Sequence, residues 1–291
     1  MRLGSDGMGG GEAVIITSTG RGPLPSYTDP PVQHVSFALL LDPVPLKSVH
    51  LGLLWTEMLR KKYPDAADMP PTMNQMEQFV DEHSMPQFQF QIMQGAPAPQ
   101  VVFSSPENRV SFGVQNDRLT HLWEAKSPKD KYPRYPSLRG SFENDVSSFA
   151  SFSETHKVGH VALRQIEVQY INVLTRGEGW ERPGELHRVL RPWSPDFSTD
   201  LGEPEDVRIA QRYLVRREDG DPYARLHIAV EPHRAVDGAT TMRMALTFRG
   251  TPEEFSLEGI LALVDDGHDR IVRAFTAATT PEMHQVWGRE Q

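Results

Sequence analysis

The chain has 291 residues, 38% of them hydrophobic and 24% charged, a formal net charge of −9 and no cysteine. That length buries a full core and sits between one large domain and two small ones, while the composition is too polar for a membrane protein. Disulfides, thiolate metal sites and thiol nucleophiles are excluded, and the acidic balance argues against a general nucleic-acid binder, which needs a positive field along the phosphates.

Residues 1–30 are rich in Gly, Ser, Thr and Pro, with one short apolar patch at 13–16, and read as a disordered tail. They lack the charged start and longer apolar stretch of a secretory signal, and no apolar run further on approaches the roughly 20 residues of a spanning helix. Together with the missing cysteines this predicts a cytoplasmic protein. Order is expected from Pro31, with a strand over 34–41 and a helix over 46–63 whose stripe is Val49, Leu53, Trp55, Met58 and Leu59. Residues 66–72 read as a Pro-rich loop, and Phe88, Phe90 and Ile92 alternate with glutamines in a strand pattern. Strands follow over 100–104, 109–115 and 118–124, the last two joined by Asn116-Asp117. Leu138, Phe142, Val146, Phe149 and Phe152 fall at helical spacing over 137–153. In the strand over 161–174, Ile166, Val168 and Tyr170 oppose Gln165, Glu167 and Gln169.

Residues 176–204 carry Gly177, Gly179, Pro183, Gly184, Pro192 and Pro195 and mark the expected boundary. Beyond it lie three strands, 206–215, 223–231 and 240–248, then a helix over 256–278 and a short one opened by Thr280-Pro281. Leu257, Ile260, Leu261, Val264, His268, Ile271, Val272 and Phe275 form one stripe of the long helix. The fold class predicted is α+β, with two antiparallel-sheet halves, 31–175 and 205–291, each covered by helices. The long C-terminal helix is expected across the second sheet.

Three segments carry a likeness. Tyr132-Pro133-Arg134-Tyr135 before a helix, Gln165-Ile166-Glu167-Val168-Gln169-Tyr170-Ile171-Asn172, and Thr279-Thr280-Pro281-Glu282 followed by Trp287-Gly288 together resemble a sporadically distributed bacterial protein family of about this length. Pro30-Pro31-Val32 matches the start of that family. The resemblance spans residue 30 to the end and implies no catalytic residue, ligand or cofactor. Sporadic distribution accompanies mobile cassettes, so it implies a partner role in a toxin–antitoxin, immunity or phage-defence module.

A direct search for chemistry finds no phosphate-cradling GxxxxGK[ST], no GxSxG and no HExxH, and no catalytic set is assigned. Asp265, His268 and Asp269 share one side of the long helix, yet His268 continues its apolar stripe, so a core-edge histidine is the stronger reading and no metal is expected. Arg208, Arg212, Arg225, His227 and Arg243 all alternate with apolar residues along the last three strands. Their forked donors make them candidates for holding an anion, a nucleic-acid backbone or small ligand included, against the simpler reading of a solvated or salt-bridged face. Trp180 and Trp193, with Arg188 and Arg191 nearby, are candidates for a partner contact, although loop tryptophans more often tuck under their loop. The function predicted is a non-enzymatic protein-interaction partner without cofactor. The alternative is an anion-binding or hydrolytic protein with His227 as acid or base, and the two differ in whether the basic face is flat and open or enclosed.

Overall fold

The computed structural model describes residues 22–79, 100–127, 130–194, 202–235 and 238–290. Their strands are β1 (Val32–Leu41), β2 (Asp65–Met69), β3 (Gln100–Ser104), β4 (Val110–Gln115), β5 (Arg118–Glu124), β6 (Leu163–Thr175), β7 (Ile209–Arg216), β8 (Pro222–Arg234) and β9 (Thr240–Gly250). The helices are α1 (Ser48–Leu54), α2 (Tyr135–Thr155), α3 (Leu257–Ala278) and α4 (Pro281–Val286). All nine strands join one antiparallel sheet in the order β2-β3-β4-β5-β1-β6-β9-β8-β7. The two expected sheet halves are therefore corrected to one continuous sheet.

β6 is the reason. It pairs with β1 along one edge and with β9 along the other. From Gln165 to Val168 its side chains are buried on both faces of the sheet, so water reaches neither edge and both rows of backbone groups need partners. The C-terminal strands supply the second row instead of founding a sheet of their own.

Alternation then sorts the side chains. Ile166, Val168 and Tyr170 share a face with Phe37 and Leu39 of β1, Leu246 and Phe248 of β9, and Leu226 and Ile228 of β8. Helices α2 and α3 cover this face. The stripe of α2, Leu138, Phe142, Val146, Phe149 and Phe152, is buried, as are Ile260, Val264, Ile271 and Phe275 of α3. Ser256 caps α3, its Oγ accepting the Gly259 N–H at 3.0 Å. Gly267 lets this helix approach the sheet closely, because a Cβ there would lie 2.8 Å from the Phe248 ring and 3.0 Å from Val168. Phe275 is 6% exposed and meets Tyr27 edge-on and Trp287 tilted. Phe275→Ala should cost about 3 kcal/mol in urea unfolding, and a midpoint unchanged by the substitution would refute this burial.

Several local features depart from the pattern reading. Val49, Leu53 and Met58 are 61%, 37% and 39% exposed, so three of the five stripe residues face water; Leu59 is buried and Trp55 partly so, and Leu51 and Leu54 take the remaining inward positions. The helix also changes pitch, since Trp55–Leu59 is π-helical, and a stripe counted at constant 3.6-residue spacing drifts off the core there. Residues expected as a loop include β2, an exposed edge strand. The strand pattern at Phe88, Phe90 and Ile92 lies outside the described residues, as does the tail as far as residue 21. Residues 22–30, grouped with that tail by composition, are docked: Tyr27 is buried and bridges to Arg289, and the Thr28 N–H donates to the Gly288 carbonyl at 2.9 Å. The Asn116-Asp117 turn needs no glycine because neither residue has a positive φ.

Candidate functional site

The face of the sheet opposite α2 and α3 is polar because the alternate residues of the same strands point to it. β6 contributes Gln165, Glu167 and Gln169, β5 Arg118, β4 Gln115, β3 Gln100, β8 Arg225 and His227, and β9 Thr247 and Arg249. A carboxylate in the centre of this face, Glu167, is 8% exposed and lies between Arg118 at 2.6 Å and Arg249. Burial pushes its pKa up, but the two guanidiniums overcome that and hold it below the ordinary carboxylate range.

Across this face runs the chain itself. After β2, residues 70–79 form an extended strap whose main chain is gripped by glutamine side chains. Gln115 accepts the Thr72 N–H at 2.9 Å and donates back to the Thr72 carbonyl at 3.1 Å. Gln165 does the same to Glu77, at 2.8 and 2.9 Å. Each primary amide thus meets both polar groups of one residue, as a neighbouring β-strand would, without reading its side chain. Asn74 donates to the Asp117 carbonyl and accepts from Arg118, while Arg249 reaches the Gln75 amide oxygen. Met73 and Met76 are 66% and 40% exposed on the outer side of the strap.

The strap is locked by Glu77. Its carboxylate takes Arg225 at 2.8 Å, His227 Nε2 at 2.7 Å and Arg249 at 3.0 Å. Burial pushes its pKa up, but the His227 and Arg225 hydrogen bonds dominate and bring it down to about 2. The Arg225 guanidinium also stacks on the Phe79 ring, 5.2 Å from its centroid.

The five arginine and histidine candidates therefore separate. Arg225 and His227 converge on one anion, which the protein supplies itself. Arg243 pairs with Glu231 on the neighbouring strand at 3.0 Å, and exposed Arg208 lies 3.7 Å from Asp206. Arg212 sits opposite His227 in the β7–β8 ladder, exposed and with no ion pair among the described residues. Arg208 lies just before β7, while alternation located Arg212, Arg225, His227 and Arg243 on one face. It missed Arg118, Arg249, Gln115 and Gln165, which complete the grip, and above all Glu77. The first four stand in the same alternating patterns and could have been read from them; Glu77 sits in a segment with no periodicity at all.

Trp180 is 2% exposed and Trp193 packs half-buried against the core, and both indole N–H groups are buried without an acceptor among the described residues. Arg188 and Arg191 are exposed beside them, Arg188 lying 3.6 Å from Glu185. The Asp265, His268 and Asp269 side chains are engaged separately: Asp265 takes Tyr135 and Arg139, Asp269 takes Arg273, and His268 Nδ1 meets the Tyr170 hydroxyl at 2.9 Å. Among the described residues no cluster of acidic and histidine side chains is arranged to hold a metal ion, and no helix is long and apolar enough to cross a membrane. No protein-family model, no curated protein and no solved structure matches the chain.

Proposed function

We propose that this protein is a non-enzymatic interaction module whose polar sheet face docks an extended, acidic segment of a partner protein, within a toxin–antitoxin, immunity or phage-defence pair in the cytoplasm. The observation that carries the reading is the strap. Two glutamine amides grip the backbone of Thr72 and Glu77 from both sides, and three cationic or imidazole groups close on one carboxylate. Main-chain contacts of this kind give affinity for any extended peptide, and the carboxylate pocket gives selectivity for an acidic one. The same contacts favour this reading over a small-anion or hydrolytic site on the basic face, since the anion at Arg225, His227 and Arg249 is a peptide side chain.

The cis strap competes with any segment added in trans, at the millimolar effective concentration of a short tether. A fluorescent peptide of residues 70–79 should bind full-length Glu77→Gln protein at least tenfold more tightly than wild type, and more weakly as salt rises. The same peptide with glutamine in place of its glutamate should lose that advantage. No binding by either protein, or equal binding of the two peptides, would remove the reading.

A further inference from the structure

On the opposite, helix-covered side of the sheet lies a cavity of about 230 Å³ that plays no part in the strap. Tyr27, Tyr132, Tyr135, Val272 and Phe275 wall it, bringing together the docked N-terminal segment, the turn before α2 and the last turns of α3. Its polar lining is sparse. Asn172 of β6 is 2% exposed, and its side-chain amide has no hydrogen-bond partner among the described residues. The amide borders the cavity and is free to bond a group that enters it.

Two further groups define what that group is. His268 lines the cavity, and burial pushes its pKa down to about 4, so the ring is neutral at pH 7. The Tyr132 and Tyr170 hydroxyls lie 3.1 Å apart and the Tyr170 hydroxyl 2.9 Å from His268 Nδ1; in the tautomer that accepts from Tyr170 the imidazole proton is on Nε2, which has no partner among the described residues and is left to donate into the cavity. Burial also pushes the Tyr132 hydroxyl up to about 12 and Tyr170 above its usual value, so both phenols keep their protons and none of these walls carries a negative charge.

Arg134 supplies a positive one. Its two terminal nitrogens donate to the Tyr27 and Thr28 carbonyls at 2.7 and 3.1 Å, and it pairs with no carboxylate among the described residues. Its backbone is at φ 72°, ψ 149°, a region that side chains other than glycine rarely enter and that costs on the order of 1–3 kcal/mol. The surrounding structure holds the guanidinium at the cavity mouth despite that cost.

We propose that this cavity binds a small aromatic carboxylic acid, its ring among the tyrosines and Phe275 and its carboxylate on Arg134, the His268 Nε2–H and the Asn172 amide. The size agrees: a cavity of about 150 Å³ accommodates benzene, so the present one takes a single ring with one substituent. Aromatic walls with a few convergent donors are the usual composition of a small-molecule site.

Titration calorimetry on the full chain with benzoate, phenylacetate, benzamide and benzyltrimethylammonium tests this. At least one of the two acids should bind with a Kd of about 1 mM or tighter, as expected for so few atoms. Benzamide should bind at least tenfold more weakly and the ammonium compound not at all. Arg134→Met should erase the difference between acid and amide, and Val272→Trp, which fills the cavity, should abolish binding. Should Arg134→Met fail to fold, Asn172→Asp provides the same test, since its added negative charge should reject the acids. Failure of both acids to bind wild type, equal affinity for acid and amide, preference for the ammonium compound, or binding unaffected by Val272→Trp would each overturn the assignment.

Discussion

Asp145→Ala should destabilise the protein by about 3–5 kcal/mol, the cost of removing one partner from a buried charged network. Asp145 of α2 is 1% exposed in the middle of the covered face, where a charge is tolerated only if fully paired. It is: the Tyr63 hydroxyl donates at 2.6 Å, Lys62 at 2.7 Å and the His121 Nδ1–H at 2.7 Å. Lys62 is 40% exposed and can turn to water when the carboxylate is gone, but Tyr63 and His121 are completely buried and cannot. Burial keeps His121 neutral by lowering its pKa, so its proton lies on the nitrogen facing Asp145 and its bare Nε2, between the Phe37 and Phe142 rings, has no partner among the described residues. The network therefore depends on this one acceptor. Asp145→Asn, which keeps one oxygen, should lose less than the alanine variant in urea unfolding. A loss below about 1 kcal/mol for Asp145→Ala would mean that water replaces the carboxylate.

Much of the covered face was legible in the sequence because burial there acts on residues of a single regular element. The five apolar side chains of α2 and the alternation of β6, β8 and β9 each follow one period, and each is placed as that period requires. What escaped was everything decided between elements. Whether β6 and β9 share a ladder depends on backbone groups that every residue carries alike, so no side-chain pattern announces one sheet instead of two. His121 and Asp145 are 24 residues apart in different elements, and an isolated histidine in a strand gives no sign of its partner. The candidate site failed in the same manner. Arg225 and His227 were visible as the polar side of β8, whereas Glu77, some 150 residues away, meets them only because an aperiodic segment crosses the face. The three segments that suggested a bacterial family behave differently: Tyr132 to Tyr135, Tyr170 with Asn172, and Trp287, which packs on Phe275, all gather at or beside the aromatic cavity.

Stability should fall steeply between pH 6.5 and 4. His34 is lowered to about 4 by burial, opposed by Glu124 and assisted by Arg243 and Lys126; His268 is lowered to about 4 by burial against the pull of Asp269 and Asp265. In the unfolded chain both return to about 6.5. Between these values the unfolded state binds protons that the folded state refuses, so the unfolded state gains as pH drops. Each histidine forfeits on the order of 3 kcal/mol across the full window, from 1.36 kcal/mol per pH unit. Glu77 adds a second, more acidic loss: held at about 2 against 4.5 in its unpaired state, it contributes stability that is complete above pH 4.5 and disappears as pH falls through 2. Urea midpoints measured from pH 7.5 to 2 should decline below pH 6.5, and His34→Gln and His268→Gln should each flatten the decline between pH 6.5 and 4 without altering the Glu77 limb below it. The two limbs also separate by place, because release of Glu77 frees the strap while the sheet persists, so hydrogen exchange at the Thr72 and Glu77 amides should quicken only in the acid limb. A midpoint constant from pH 7 to 4.5 would show that both imidazoles are hydrated in the folded protein.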